Sequence, residues 1–379
     1  MKSLIFTSNG FSYNALEILK LKMDLEVDKV DLLIFALHPE CNLEEYSAYV
    51  SSIFQRDDFI MFHAIEHFNG RSIISNGITL CAIKFQKKAF VEYFYIEDIR
   101  ENDSIDKSAD YFNENRDKFH IILAGHCSGE IGSVIDTISR KLQYSPVDNI
   151  VGGVSSGIVK DQELQSFQYI DKKIIKNGFI VLSFTNIEAA IDVSLGFKPY
   201  GITYQITKAK GSRLYNVDDG KNFSYIASKM LIETDEKIDI RNLWYAPLSI
   251  LSDNDGYMLT LRTIKEITDD YVEFFAPIKE GDYFKLSFAT PEDLIKTDEE
   301  TARRLSEKMR KPELSFNFSC IARQYVLEDM QEQELTMYYN HFHTNLFGFF
   351  TFGEIGPDKM YKQLNLYNET SLAVVMREK

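Results

Sequence analysis

The chain has 379 residues, 45% of them hydrophobic and 26% charged, with 28 phenylalanines and 21 tyrosines available for a core. A chain of this length buries about 75% of the surface that it exposes when unfolded, so it can form two or three globular domains. Its net charge of −15, with no basic patch along the sequence, argues against nucleic acid and anionic membranes as partners.

The first residues and the cysteines predict the compartment. MKSLIFTSNGF has a three-residue apolar run, which is too short for a signal peptide or a membrane span. The four cysteines lie far apart without a Cys-x-x-Cys pair, so neither a disulfide framework nor a zinc knuckle is predicted. We therefore expect a cytoplasmic protein.

In chain order, the first elements form a unit that occurs twice, over about 28–100 and 115–190. Each unit begins with a buried strand, a turn and an amphipathic helix, as in DLLIFALHPECNLEEYSAYVSSIF and FHIILAGHCSGEIGSVIDTISRKL. A second strand follows, and then an Asn-Gly dipeptide between apolar runs, in RSIISNGITLCAIKF and KKIIKNGFIVLSF. Asn-Gly in this setting predicts a two-residue hairpin turn. Each unit therefore reads as β-α-β-β-β.

The remaining elements are predicted with a weaker third copy of the unit at the end. Alternating strands span 192–220, a helix 223–233, a hairpin 249–264 and a long polar helix 291–309. The third copy has strands at 314–320, 346–356 and 370–376 and a helix at 328–342. We predict an α/β (α+β) fold of mixed sheets with helices on the outer faces, and two domains, 1–220 and 221–379.

The most reactive-looking stretch is AGHCSGEIGS, which places His126 beside Cys127 after a strand. A cysteine near a helix N-terminus can act as a nucleophile when a base lies within reach. Adjacent His and Cys side chains seldom face each other, and the Gly-x-Ser-x-Gly elbow is absent. We predict a structural corner and no catalytic residues, and keep a cysteine-dependent enzyme using Cys127 or Cys320 as an alternative.

Histidine spacing does not predict a metal site. Of the near-neighbour pairs His63/His67 and His341/His343, only the first has helical spacing, and His63 ends a predicted strand. We therefore predict no metal ligands and no cofactor. A single histidine could still ligate haem iron, so haem stays an alternative.

Polar residues at strand ends in the last third form the better candidate site. Cys320 and Arg323 end one strand in FSCIAR, and Glu354 ends another in FTFGEIGP. An arginine and a glutamate at neighbouring strand ends could bind the carboxylate and the amine of a small zwitterion. A buried Arg–Glu pair that stabilises the fold is the competing interpretation.

Several ordered segments resemble the FIST family. DNIVGGVSSG and SLGFKPYGITYQITKAKGSRLYNVDDGK are similar to segments of its N-terminal domain. FNFSCIAR, FGFFTFGEIGP and YNETSLAVVM resemble its C-terminal domain. The family's Gly-Cys-Ser/Thr-x-Gly-Glu-Ile motif is replaced here by FHAIEHFNG.

The resemblance implies a non-enzymatic sensory module for small molecules such as amino acids. Some family members bind haem and report nitric oxide to a kinase, which is the alternative function. Carried onto this chain, the resemblance implies ligand binding by Arg262, Cys320, Arg323 and Glu354, and signalling through a separate protein such as a kinase.

Overall fold

A computed structural model describes residues 1–160, 163–231, 240–254 and 256–379. The helices are α1 (Tyr13–Glu26), α2 (Leu43–Phe54), α3 (Ser104–Glu114), α4 (Ile131–Lys141), α5 (Phe223–Leu231), α6 (Pro291–Lys308), α7 (Ile321–Leu327) and α8 (Gln331–Phe342). Short 3₁₀ turns occur at Cys127–Gly129, Ile240–Tyr245 and Glu328–Met330.

The strands divide into those before and those after residue 160. The first group is β1 (Lys2–Asn9), β2 (Leu32–Leu37), β3 (Ile60–His63), β4 (His67–Phe68), β5 (Ile73–Ile74), β6 (Gly77–Lys84), β7 (Phe90–Ile96), β8 (Phe119–Ala124), β9 (Ile150–Ser155) and β10 (Ile158–Lys160). The second group is β11 (Glu163–Gln165), β12 (Gln168–Ile170), β13 (Lys173–Ile175), β14 (Phe179–Thr185), β15 (Ile187–Ser194), β16 (Lys198–Lys210), β17 (Arg213–Val217), β18 (Lys221–Asn222), β19 (Leu248–Leu251), β20 (Met258–Arg262), β21 (Ile264–Ile267), β22 (Val272–Phe274), β23 (Tyr283–Phe288), β24 (Leu314–Cys320), β25 (Leu346–Pro357), β26 (Leu364–Tyr367) and β27 (Ser371–Glu378).

Three strand quartets share one arrangement. Their orders are β1-β6-β2-β3, β7-β14-β8-β9 and β15-β27-β24-β25. In each quartet the last two strands are parallel and the other neighbours antiparallel. The second and third quartets join through β9 and β25 into one sheet, so mixed pairing confirms the predicted α/β fold.

Alternate residues of the quartets pack into different cores. On β2, Ile34 and Ala36 face a core shared by all three quartets, whereas Leu33 and Phe35 pack under α1 and α2. Helices α3 and α4 cover the second quartet, and α6 and α8 cover the third. Because successive side chains of a strand point to opposite faces, each sheet is apolar on both sides and the helices lie outside.

A third sheet, β20-β19-β23-β16-β17-β22-β21, is inserted in the chain between β15 and α6. It has its own core, which includes Tyr204, Phe223 and Phe284. Strands from both sides of residue 220 pair in this sheet and in the large sheet, as β16 with β23 and β9 with β25. The division at residue 220 stays a prediction about the sequence, and the sheets cross it.

The predicted Asn-Gly hairpins are wrong. β5 pairs with β4, whereas β6, which begins at Gly77, pairs with β1 and β2. In the second unit β13 pairs with β12, and the turn between them is Asp171–Lys172, whose φ values are 50° and 62°. These two residues adopt the left-handed conformation of a two-residue hairpin turn. Long-range pairing of β6 and β14 outweighs the local turn preference.

Candidate functional site

Three of the four predicted ligand residues meet at one strand end. β24 ends at Cys320, and Arg323 lies on the first turn of α7, which follows directly. Glu354 lies on β25, three residues after Thr351, which pairs with Cys320 across the parallel strands. Arg323 and Glu354 have 0% exposure and Cys320 has 3%. Parallel pairing of β24 and β25 therefore brings the three residues together.

Arg323 is bound by acidic side chains from two helices. Its Nη2 donates a hydrogen bond to Asp298 on α6, and its Nε lies 3.9 Å from Oε1 of Glu334 on α8. Glu334 accepts hydrogen bonds from Ser319 Oγ at 3.1 Å and from Gln324 Nε2 at 3.0 Å. The positive charge of the buried arginine is thus compensated by buried carboxylates.

Two further carboxyl groups complete the cluster. Glu354 accepts a hydrogen bond from Thr370 Oγ1 at 2.7 Å, and Glu369 accepts one from Thr263 Oγ1 at 2.9 Å. Backbone groups of Glu369 and Arg323 form hydrogen bonds with the Cys320 thiol. We call this set the buried polar centre, and its members are Asp298, Cys320, Arg323, Glu334, Glu354 and Glu369.

Burial dominates the protonation of the centre. It raises the pKa of Glu354 and of Glu369 to about 8 each, although hydrogen bonds from threonines and the charge of Arg323 oppose the rise. Burial also raises the pKa of Asp298 to about 7. The pKa of the Cys320 thiol lies well above its ordinary value, because of burial and then the charges of Glu354 and Glu369. A neutral thiol is a poor nucleophile.

Some hydrogen-bonding groups of the centre have no partner. Among the described residues, none bonds to Nε or Nη1 of Arg323, to Oε1 of Gln324 or to Oε2 of Glu369. Buried polar groups in folded proteins are nearly always bonded to protein, water or a ligand. The centre therefore offers guanidinium donors and carbonyl or carboxyl acceptors to a small bound molecule.

Arg262, the fourth predicted residue, does not join this network. Its Nε donates to Pro277 O at 2.8 Å, and its Nη1 donates to the carbonyl oxygens of Leu261 at 2.8 Å and Leu366 at 3.2 Å. It lines an open cavity of about 310 Å³ between α4, the third sheet and the segment before β26. We call this cavity the Arg262 cleft, and its charged lining residues are Asp136, Arg140, Arg262, Lys279, Asp282 and Asp358.

Family comparisons match most of the chain. The FIST N domain matches residues 31–220 and the FIST C domain matches residues 226–357. The chain belongs to the FIST family. FIST domains are modules of signal transduction and small-ligand sensing.

One relative and one solved structure are also similar to this chain. An uncharacterized protein of Aquifex aeolicus (strain VF5) is 30% identical over 265 residues, which cover 68% of this FIST chain and 97% of that protein. The crystal structure of cyanuric acid hydrolase from A. caulinodans aligns over 100% of this chain and 99% of that one, with 6% identity and a TM-score of 0.39. Within the described residues, no helix is both long and apolar enough to cross a membrane.

Sequence reasoning missed four acidic residues of this FIST protein. Asp298 lies on the buried face of α6 with Leu294, Ala302 and Leu305, so an acid inside an apolar stripe was the available signal. Glu334 is likewise buried on α8. Glu369 and the cleft residue Asp282 have no comparable pattern, because loop segments place them and only the tertiary fold shows their neighbours.

The His126–Cys127 corner is packed into the fold. The Cys127 thiol is buried, lies 3.6 Å from Gly178 O, and has its pKa raised to about 12 by burial. The His126 ring packs edge-on against Phe352, with 5.7 Å between ring centroids.

His63 bonds to Cys41 O and the Phe167 amide through its two ring nitrogens. The described residues contain no cluster of three or more His, Cys, Asp or Glu side chains that could hold a metal ion.

Proposed function

We propose that this FIST protein is a cytoplasmic, non-catalytic sensory module that binds a small polar ligand in the buried polar centre. The observation that carries the proposal is a set of buried groups that have no hydrogen-bond partner among the described residues, namely Arg323 Nε and Nη1 and Glu369 Oε2. A buried donor or acceptor left unbonded costs about 1–3 kcal/mol, and more when the group is charged. A ligand that bonds to these groups removes that cost.

The available groups favour an amino acid. A carboxylate of the ligand would accept hydrogen bonds from the guanidinium of Arg323, and charge-assisted bonds of this kind are the stronger class. An ammonium group would donate to Glu369 and favour its ionised form. Glu354 and Cys320 would border the same ligand, in agreement with the positions that the family resemblance implies. The proposal requires no cofactor and no chemical step.

The cover of the centre offers a route for the signal. Arg323 lies on α7, and the Ile240–Tyr245 turn packs against this helix through Trp244 and Tyr325, whose ring centroids are 4.9 Å apart. Tyr245 Oη donates a hydrogen bond to Tyr325 O at 2.9 Å, and both tyrosines are exposed. Ligand entry would displace α7 and this turn, and so change a surface that a separate signalling protein, such as a kinase, could bind.

A thermal-shift screen with the twenty L-amino acids and small carboxylates tests the proposal. A ligand that binds only the folded state at 100 times its Kd stabilises the protein by about 2.7 kcal/mol, so the melting temperature should rise by several degrees. The rise should become smaller in Arg323→Lys, which keeps a positive charge beside Asp298 but loses the unused guanidinium donors.

The matched control is Arg304→Lys, because Arg304 also pairs with an aspartate, Asp192, and lies on the same helix as Asp298. It should respond to the ligand as the wild type does. A flat screen, or equal shifts in Arg323→Lys and Arg304→Lys, would contradict the proposal.

Expression with added haem separates the alternative function. Our proposal predicts a colourless protein without a Soret band. A Soret band that shifts with nitric oxide, and is lost when one histidine is replaced, would instead favour a haem sensor.

A further inference from the structure

The Arg262 cleft differs from the buried polar centre in being open. Arg262 forms its floor at 8% exposure, whereas Arg140 and Lys279 lie on its rim with side chains 68% and 62% exposed. A volume of about 310 Å³ is within the size range of small-molecule sites. The cleft therefore has a buried charged group inside it and exposed charged groups at its entrance.

The charge of Arg262 is not compensated by any acid in contact. Its hydrogen-bond partners are neutral oxygens of Pro277, Thr260, Leu261 and Leu366, and none of the described residues forms an ion pair with it. Its Nη2 forms no hydrogen bond with them either. Burial lowers the pKa of Arg262 to about 10, so the side chain stays charged at neutral pH. Buried charges in proteins are normally paired, which makes this one a candidate for pairing with an anionic ligand.

Asp282 is the available acid of the cleft. Its half-buried carboxylate bonds to the backbone of Lys279, and burial raises its pKa while the charges of Lys279 and Arg262 oppose that rise. It forms no ion pair within the described residues. Asp136, by contrast, is paired with Lys279 at 2.7 Å and with Arg140 at 3.0 Å. Asp358 is occupied by backbone amides, including that of Gln363 at 2.7 Å.

The charge balance of the cleft decides the class of ligand. Three cationic side chains, Arg140, Arg262 and Lys279, face three anionic ones, Asp136, Asp282 and Asp358. A doubly charged anion would be repelled by Asp282, and a plain cation by Arg262. A molecule with one anionic and one cationic group can pair with both Arg262 and Asp282. It has no net charge, so it leaves the charge balance of the cleft unchanged.

We propose that the Arg262 cleft is a second binding site, which takes a small zwitterion with its carboxylate on Arg262 and its ammonium on Asp282. The two arms of the ligand would pair with two charged side chains that form no ion pair within the described residues, although the charges of Arg262 and Asp282 already attract each other. The site is separate from the buried polar centre, so it stands independently of the function proposed above.

Successive residues link the two places. Arg262 points into the cleft, and Thr263 donates a hydrogen bond to Glu369 of the centre. A ligand in the cleft would fix Arg262, while the hydrogen bond to Glu369 fixes Thr263 at the centre.

Isothermal titration calorimetry with each of the twenty L-amino acids tests the second site. The best-binding amino acid is then compared with its carboxylic acid lacking the amine and with its amine lacking the carboxylate. We expect the zwitterion to bind best. We expect Asp282→Asn and Arg262→Lys each to weaken its binding at least tenfold, and Asp282→Asn to leave the weak binding of the carboxylic acid unchanged.

Two controls separate this site from the centre. Arg304→Lys changes an arginine that lines neither site, and Arg323→Lys changes the centre; both should bind the zwitterion at the cleft within twofold of the wild type. Because Arg262→Lys could impair folding, Asp282→Asn, at a half-buried side chain, decides the test on its own. Unchanged zwitterion affinity in Asp282→Asn overturns the second site, even when Arg323→Lys reduces binding. Absence of binding to the folded wild type at millimolar concentration also overturns it.

Discussion

The two arginines Arg323 and Arg262 show two ways of burying the same side chain. Arg323 contacts the carboxylates of Asp298 and Glu334, so its charge is compensated within the fold. Among the described residues, Arg262 forms hydrogen bonds with neutral oxygens and no ion pair, and it faces an open cavity. Removing a buried arginine from its acidic partners is strongly destabilising because it leaves buried charges unpaired, whereas an arginine without such partners retains attraction for an anion.

Replacing each arginine by methionine should separate the two most clearly. Arg323→Met leaves Asp298 and Glu334 buried without a counterion, which costs about 3–5 kcal/mol. Arg262→Met removes a charge that has no acidic partner and leaves only carbonyl acceptors unbonded, at a cost of about 1–3 kcal/mol. Chemical denaturation should therefore show a larger loss in the free energy of unfolding for Arg323→Met than for Arg262→Met. An equal or larger loss for Arg262→Met would break the comparison.

Gly196→Ala tests how tightly Arg323 is packed. A Cβ at Gly196 would lie 2.6 Å from Leu294 Cδ2 and 3.2 Å from Arg323 Nη1, so we expect a loss of about 2–3 kcal/mol from left-handed strain and close contact. Gly201→Ala is the matched control, since its φ of 77° is close to the 72° of Gly196 and nothing lies within 4 Å. Its cost should be about 1 kcal/mol. Equal melting temperatures for the two variants would contradict tight packing at Arg323.

The protonation of the centre predicts a pH dependence. Folding raises the pKa of Glu354 from its ordinary 4.5 to about 8, so the folded state binds more protons in that range and stability falls as the pH rises. From pH 6.5 to 8 the protonation of Glu354 alone should lower the free energy of unfolding by about 1–2 kcal/mol, since one pKa unit corresponds to about 1.4 kcal/mol.

Buried histidines make the free energy of unfolding rise with pH, which is the opposite direction, but they do so at lower pH. Burial lowers the pKa of His63 and of His120 to about 4 each. These two side chains therefore change the stability in the range from about pH 4 to pH 6.5 and not above it. Urea denaturation from pH 6.5 to 8 should show a smaller fall for Glu354→Gln than for the wild type. Glu92→Gln, at a side chain 48% exposed, should behave as the wild type. An identical slope for Glu354→Gln and the wild type would contradict a raised pKa at Glu354.

The smallest expected effect concerns the cysteines. All four are buried, and burial raises the pKa of Cys41 and of Cys127 to about 12. Labelling by an electrophile at pH 7 should therefore be slow at every cysteine, because little thiolate is present. Mass spectrometry of labelled peptides measures the rates. Rapid labelling of Cys320 or Cys127 alone would favour the enzyme alternative.

Local patterns were sufficient for several elements. The strand predicted over 314–320 is β24, and the helix predicted over 291–309 is α6, whose capping box at Thr290 and Asp293 is a local signal. Cys320, Arg323 and Glu354 meet because they lie on, or directly after, the neighbouring strands β24 and β25, and the sequence already predicted them at neighbouring strand ends. Local sequence patterns therefore predict those elements whose formation depends on residues near one another in the chain.

Other features depend on contacts between distant segments. The Asn-Gly signals at Asn76 and Asn177 gave wrong hairpins, because β6 and β14 pair with strands from elsewhere in the chain. Arg262 was placed with Arg323, although its side chain points into a separate cleft. The acid that pairs with Arg323 comes from α6, 25 residues earlier, and no spacing rule identifies such a partner.

A crystal structure of the protein as purified, at a resolution that separates water from larger molecules, tests the central claim most directly. We predict continuous density larger than a water molecule, bonded to Nε or Nη1 of Arg323 and reaching Oε2 of Glu369. Isolated water peaks at these atoms, unchanged after soaking with the ligands of the thermal-shift screen, would contradict a ligand site in the buried polar centre.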